Sequence, residues 1–417
     1  MVLALKYGRT ALDLELGEAE GYSTVLQPRC LPVPEDELAC VRDALANPID
    51  SARLRECVRP GQQAVIVTSD VTRPCPSARL LPLLLEELNR GGLDDEAITV
   101  VFGLGSHRAH TEEERRWLAG AAVAGRVRCI DSDPDDVQYL GQTRRGTPVA
   151  IFRPVLEAEV RVCLGNIEYH YFAGYSGGAK AIVPGASSLD TIQQNHRMMV
   201  EPGAGTGALT GNPVREDIDE AGRMVGIDFV LNVLLDGSKR IVDAVAGHPE
   251  AAHREGCARL DRMGRSMVDG AADLVIASAG GYPKDINLYQ AQKALDNARQ
   301  IVRPGGIILL VAECGEGMGN RVFEEWMEDP GGPDAIVARL RREFVLGGHK
   351  AAAIALAMQQ ADVYLVSEFP QDAARSMGFY PFDFLGDALH AALKRLGSEP
   401  SIVVMPEGAS TLPGVRS

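Results

Sequence analysis

Residues 160–180 read VRVCLGNIEYHYFAGYSGGAK, and this stretch decides the fold class. Val160–Leu164 is an apolar run broken only by Arg161. Such near-continuous runs suit a strand covered on both faces rather than one with a wet side. The loop that follows is dense in reactive groups: Tyr169, Tyr171, Phe172 and Tyr175 flank His170, although aromatics make up only 5% of the chain. A buried strand ending in a glycine-rich, polar loop is the repeating unit of α/β sheets, whose ligands gather beyond the carboxyl ends of strands.

The same unit recurs outward from this point. Ala64–Thr68 runs into SDVTRP, Ile98–Phe102 into GLGSHR, Leu274–Ala277 into SAGGYPKD, Ile307–Val311 into AECGEGMGN and Val363–Val366 into SEFP. Helical patterns lie between. Leu80, Leu84 and Leu88 recur at helical spacing in Ser77–Asn89, and Thr111 with Glu114 fits a capping box. The expected fold class is therefore α/β, with two α/β domains. A boundary is expected near Met267–Ala272, where the polar helical stretch His253–Met267 gives way to Asp-Gly-Ala-Ala and a new strand. That divides the chain into an N-terminal domain of residues 1–270 and a C-terminal domain of residues 271–400. Ile402–Met405 is one more strand that either domain could take up; residues 401–417 are expected to rejoin the N-terminal domain.

Composition narrows the partners. The chain has 42 basic and 57 acidic residues, a formal net charge of −15. Nucleic-acid binders draw most of their affinity from cations on phosphate, so nucleic acid is not an expected partner. An anionic substrate must be held by a few local cations against the global field. The N-terminus MVLALKYGRT does not read as a signal peptide, and the longest apolar runs are too short to span a bilayer. The eight cysteines are dispersed, with no C-x-x-C pair. Reduced thiols in a cytoplasmic protein are expected.

Five segments could carry chemistry. Asp70, Thr72 and Arg73 place a carboxylate, a hydroxyl and a guanidinium just after a strand; arginine's planar fork matches a carboxylate or phosphate. Asp70 could equally cap the helix near Ser77 or pair with Arg73. His107 follows Gly103 and Gly105 and should be exposed at the sheet edge, where a lone loop histidine is often only solvated; His110, entering an acidic helix, ranks below it. Gly177 and Gly178 precede Lys180, and glycine-rich loops can aim N–H groups at a phosphate. A Walker A reading fails, because Ala179 and Ala181 flank the lysine. Desolvation among Ala179, Ala181, Ile182 and Val183 would favour a neutral, nucleophilic amine; a plain phosphate-binding lysine is the alternative. His196 is a metal ligand only if other ligands come from elsewhere, such as a cofactor. Finally, Tyr289, Gln290 and Lys293 would share a helix face that could close over a substrate, or simply form a solvated face.

Taken together, SDVTRP, GLGSHR, EYHYFAGYSGGAKAIVPG, the histidine of NHR and PKDINLYQAQKAL resemble the lactate racemase family, in both halves of the chain and in order. The resemblance implies an isomerase that inverts C2 of a lactate-like or malate-like 2-hydroxyacid, by reversible hydride transfer through a 2-keto acid. It implies a nickel-pincer nucleotide, pyridinium-3-thioamide-5-thiocarboxylic acid mononucleotide carrying Ni, and an active site in the cleft between two domains. Lys180 would hold the cofactor through a thioamide and His196 would ligate nickel. His107 and His170 would be the acid/base pair, one for each face of the substrate. Arg73 would grip the substrate carboxylate with Gln290 and Lys293 assisting, and Asp70 would help position the site. The expected partners are the hydroxyacid and the enzymes that build the cofactor, without which a recombinant preparation would lack it; the expected assembly is a monomer or homodimer. Two other readings stay open: a Schiff-base lyase or aldolase using Lys180, and a non-catalytic cofactor-binding protein.

Overall fold

The computed structural model describes residues 2–27, 33–329 and 331–416; Cys30 lies outside them. The chain divides into two units, one of residues 30–263 and one of residues 1–29 with 264–417. In chain order, β1 (Val2–Tyr7) and β2 (Thr10–Glu15) form an antiparallel hairpin, and β3 (Ser23–Val25) follows. The first unit then runs through α1 (Glu37–Ala46), α2 (Leu54–Cys57), β4 (Ala64–Ser69), α3 (Ser77–Arg90), β5 (Ile98–Gly103), α4 (Glu112–Ala119) and β6 (Arg128–Asp131). A hairpin of β7 (Val137–Gln142) and β8 (Pro148–Phe152), with α5 (Arg153–Glu157), leads to β9 (Val160–Ile167). The short pair β10 (Tyr169–His170) and β11 (Gly174–Tyr175) precedes α6 (Leu189–Arg197), α7 (Pro213–Val225), β12 (Phe229–Leu235), β13 (Ile241–Gly247) and α8 (Pro249–Gly264).

The sheet order is β13-β12-β9-β4-β5-β6. All neighbours are parallel except the edge pair β12 and β13. Leu80, Leu81, Leu84, Leu85 and Leu88 on α3 are buried against Ile66, Val100, Phe102, Val162 and Leu164 of the strands. Each such leucine removed from water contributes about 2 kcal/mol, which is why the apolar stripe of α3 fixes its position. The expected helix Ser77–Asn89 and the Thr111/Glu114 capping box are both present, the latter with reciprocal bonds of 3.2 and 2.8 Å.

One topological feature places the site. The chain builds β4, β5 and β6 in one direction, then returns to lay β9 on the other side of β4. Connections leaving the carboxyl ends of β4 and β9 therefore diverge, which opens a crevice at that point in open α/β sheets. The loops carrying Asp70 and Arg73, His107, and His170 with Lys180 follow the adjacent strands β4, β5 and β9.

The second unit continues with β14 (Arg265–Val268), β15 (Ala272–Ser278), α9 (Leu288–Arg299), β16 (Val302–Val311), α10 (Arg321–Met327), α11 (Gly332–Arg342), α12 (Gly348–Gln360), β17 (Asp362–Val366), α13 (Gln371–Ser376), β18 (Tyr380–Phe382), α14 (Leu385–Leu396), β19 (Ile402–Met405) and β20 (Leu412–Val415). Its parallel sheet has the order β18-β17-β16-β15-β19-β3. The expected domain limits differ from this at both chain ends. Ile402–Met405 is apolar at every position and buried at every position. Such a strand needs neighbours on both edges, and it finds them in β15 and β3. Residues 401–417 thus belong with the second unit, and β3 brings the N-terminus with it; Leu5, Leu14 and Leu16 join that core. The boundary falls after Met263, one residue before the end of α8, rather than at 270. Among the described residues no helix is long and apolar enough to cross a membrane.

Candidate active site

The loop after β4 and the loop after β5 meet through two histidines with different tasks. His107 Nδ1 lies 2.6 Å from Asp70 Oδ2, and Thr72 Oγ1 donates to both Asp70 oxygens at 2.9 and 3.1 Å. Burial pushes the Asp70 carboxyl up, but the hydrogen bonds from His107 and Thr72 and the charges of His107 and Arg73 outweigh it, so the net shift is downward. An ionised carboxylate at Nδ1 holds the proton there and leaves Nε2 as the basic nitrogen. Asp70 neither caps α3 nor pairs with Arg73; its partner is His107. Arg73 is exposed beside it.

His110 is the other histidine, and it is structural. It is buried, its Nδ1 lies 2.7 Å from Asp131 Oδ1, and its Nε2 accepts from the Val71 N–H at 3.1 Å. With both ring nitrogens committed, it stitches the loop after β4 to the end of β6.

The segment 168–180 forms a pinned hairpin. Glu168 and Ser176 close it, with Ser176 N–H donating to Glu168 O at 2.8 Å. Tyr175 and Tyr169 donate their hydroxyls to Asp261 at 2.7 and 3.0 Å. Arg215, fully buried, donates to the carbonyls of Ala173 and Tyr175 and lies 3.5 Å from Asp219. His253 Nε2 donates to Ser176 O at 2.8 Å. Gly174 must be glycine: its φ is +77° and a Cβ would sit 1.9 Å from Ala208 O. Gly177, also at φ +77°, turns the chain against Asn232 and Ile167. The Gly178 N–H donates to Asn232 Oδ1 at 2.9 Å. That donor is thus committed within the protein, next to Lys180.

Lys180 Nζ lies 3.4 Å from His170 Nε2 and 5.9 Å from the centre of the Phe172 ring. Both side chains keep some accessible surface. Burial nevertheless holds the Lys180 amine well below its ordinary value, assisted by the charges of Arg215 and Arg73 and opposed by Glu168. Burial likewise depresses His170, followed by the charges of Lys180, Arg73, His196 and Arg215. The Ala173 N–H donates to His170 Nδ1 at 3.3 Å, so neutral His170 carries its proton on Nε2, toward the lysine. His107 and His170 are therefore set in opposite tautomers. Phe172 packs edge-on against both His170 and His196, with ring centres 4.5 and 4.9 Å apart, and Tyr171 stacks on His170. Phe172 thereby links the lysine, the second histidine and the proposed metal ligand, a role that the aromatic cluster signalled but did not specify.

A nickel cofactor can be tested against these groups. Among the described residues no three His, Cys, Asp or Glu side chains could hold a metal ion. A metal at His196 must bring its other ligands with it. A desolvated amine at Lys180, held well below its ordinary value, and an imidazole across Phe172 fit a group that is attached covalently and carries most of its own donors.

Tyr289, Gln290 and Lys293 stand in the other unit on α9, whose N-cap is Asn287. The shared face is not simply solvated. Tyr289 packs edge-on against Phe323 at 5.5 Å and under Lys350 Nζ at 5.0 Å, while Lys293 is exposed. Arg215, His253, Asp261 and Asn232, which hold the hairpin, had no sequence signal: the first three stand among other charged residues of α7 and α8, and Asn232 interrupts an ordinary apolar strand.

Comparison with known proteins identifies the family. The lactate racemase N-terminal domain model matches residues 7–207 and the lactate racemase C-terminal domain model matches residues 268–412. The lactate racemase of Thermoanaerobacterium thermosaccharolyticum is 32% identical, covering 98% of each chain, and that of Lactiplantibacillus plantarum is 32% identical, covering 90% of this chain and 91% of that one. The solved lactate racemase apoprotein from T. thermosaccharolyticum superposes with a TM-score of 0.83 at 31% identity, covering both chains fully. A Thermotoga maritima protein at 17% identity and TM-score 0.58, covering 93% of this chain and all of that one, shares the fold. With both domain models matched in order and relatives aligned over nearly its whole length, the chain belongs to the lactate racemase family and is an isomerase.

Proposed function

We propose that the protein racemises a 2-hydroxyacid at C2, with lactate the first substrate to expect and malate a second. The observation that carries this is the placement, on neighbouring loops, of His107 2.6 Å from the Asp70 carboxylate and of His170 3.4 Å from a desolvated Lys180. The names of the related proteins support lactate. In this reading Lys180 attaches a nickel-pincer nucleotide and His196 ligates its metal. When bound, that cofactor supplies a hydride acceptor that returns the hydride to either face of a 2-keto acid.

The protein's own groups do the rest. Arg73 binds the substrate carboxylate through its planar fork, assisted by Gln290 and Lys293 of α9. Asp70 holds His107 with Nε2 free, so His107 accepts the hydroxyl proton of one enantiomer. His170 serves the other. Once Lys180 is acylated, its nitrogen no longer accepts the His170 Nε2 proton; with the ring proton moved to Nδ1, His170 accepts the substrate hydroxyl proton at Nε2. Phe172 and Tyr171 limit water around these groups. The unpaired cysteines among the described residues support a reducing, cytoplasmic setting.

The test is enantiopure L- and D-lactate, and both malates, offered to protein made together with the cofactor-building enzymes. Enantioselective chromatography should show inversion of at least one acid, and intact-protein mass should show an adduct at Lys180. No inversion of any of these acids by adduct-bearing protein would overturn the racemase reading. Borohydride trapping of a substrate imine at Lys180 in nickel-free protein would favour the lyase alternative.

A further inference from the structure

Asp285 lies in the PKDINLYQ segment, three residues before α9, and neither the hydride chemistry nor substrate recognition uses it. It is completely buried. Its Oδ2 accepts the Gly8 N–H at 2.7 Å, from the turn between β1 and β2, and the Glu313 N–H at 3.3 Å, from the loop after β16. Its own carbonyl accepts the Cys314 N–H at 2.8 Å. The bonding then continues residue by residue. Glu316 N–H donates to Ile286 O at 2.9 Å, Leu288 N–H to Gly317 O at 3.0 Å and Tyr289 N–H to Met318 O at 3.3 Å. Asn287 caps the helix through Gln290 N–H at 3.0 Å and packs on Gly319, where a Cβ would come within 2.3 Å. The first turn of α9 is thus zipped to residues 314–319, and Asp285 is the end of the zip that also catches the N-terminal hairpin.

A buried carboxylate is an expensive way to make two hydrogen bonds. The surroundings raise the cost: burial and the neighbouring Glu368 and Asp285 push the Glu313 carboxyl up, and burial with the same acidic groups pushes Tyr7 up. The second oxygen, Oδ1, has no hydrogen-bond partner among the described residues. Only one acceptor atom is in use, and that atom joins three chain segments.

We propose that Asp285 is a positioning residue for substrate capture: through Oδ2 it latches the first turn of α9 to the β1–β2 turn and the 313–319 segment, and so sets where Gln290 and Lys293 stand. This rests on the proposed role of α9 in binding the hydroxyacid. The latch works through hydrogen-bond geometry, so asparagine, which keeps one acceptor oxygen, replaces it.

The experiment compares Asp285→Ala, Asp285→Asn and Lys293→Ala. Hydrogen–deuterium exchange on cofactor-free protein reads the latch directly: amides of residues 286–292 should exchange faster in Asp285→Ala and at the native rate in Asp285→Asn, with residues 160–180 unchanged in both. In cofactor-loaded protein, Asp285→Ala should raise KM for lactate by about tenfold with kcat within about threefold, the pattern of lost uniform binding. Asp285→Asn should match the parent protein in both constants. Native exchange and native KM in Asp285→Ala would overturn the latch, as would an Asp285→Asn variant as impaired as the alanine one. If Lys293→Ala leaves KM unchanged, the substrate role of α9 fails by itself, and the exchange data still decide the latch.

Discussion

Replacing Asp70 with asparagine tests how His107 is made into a base. The carboxylate is 3% exposed and 2.6 Å from His107 Nδ1. Asparagine keeps the shape, loses the charge, and can offer either a donor or an acceptor to the ring. Where it offers its NH2 group, the imidazole must move its proton to Nε2 and is no longer a base toward substrate. A hydrogen bond to a charged group is worth about 1.5–3 kcal/mol. The His107 side chain is 36% exposed, so solvent screening favours the lower end, or roughly a tenfold loss of rate. Tautomer loss multiplies this, and the expected fall in kcat/KM is about ten- to a hundredfold. Enantiomers have equal free energies, so racemisation in both directions must slow by the same factor even though His107 serves one. The asymmetry shows only in single turnovers: keto acid formation should slow from one enantiomer and not the other. Racemisation followed by enantioselective chromatography, with rapid-quench measurement of keto acid from each enantiomer, checks both. Parent-like kcat/KM would refute the dyad as a working base, and equal slowing of both single-turnover steps would refute its assignment to one enantiomer.

Four further outcomes follow from three buried groups. Lys180→Met should abolish the adduct in intact-protein mass while leaving the fold intact; an adduct that persists would move the attachment site. Because burial depresses the Lys180 amine, the unfolded chain binds a proton there that the native state refuses. Stability is therefore lost as pH falls from about 10.4, the ordinary lysine value, toward the folded value, and Lys180→Met should flatten this slope in urea denaturation between pH 7 and 9. His253 follows the same sign in a lower window: burial holds it well below 6.5, so stability is full above that value and lost as pH falls below it. His253→Gln should reduce the loss between pH 6.5 and 5, and an unchanged acid limb would contradict a neutral, buried His253. Arg215→Met leaves Asp219 partly uncompensated and two carbonyls without their donor; a cost of about 3–5 kcal/mol is expected in urea denaturation, and a loss below about 1 kcal/mol would show that Arg215 does not pin the hairpin.

Much of this protein was legible in its sequence because the informative features are local. Apolar runs such as Val160–Leu164 and Ile98–Phe102 declare buried strands through their own side chains. Glycine-rich loops mark where those strands end, and His107, His170 and Lys180 lie within a few residues of them. The α/β class and the grouping of reactive loops at one sheet edge needed no knowledge of contacts. The tertiary structure decided whatever depended on which strands become neighbours. It gave Ile402–Met405 to the second unit, because a strand apolar on both faces takes the place where both edges can be paired, and chain position says nothing about that. It separated His107 from His110, two loop histidines three residues apart, by giving one to Asp70 and the other to Asp131. It also supplied Arg215, His253 and Asp261 as the props of the 168–180 hairpin, from helices more than thirty residues downstream. A hydrogen bond between distant residues depends on where the sheet order brings them, and charged residues among other charged residues of a helix leave no trace that tells the prop from its solvated neighbours.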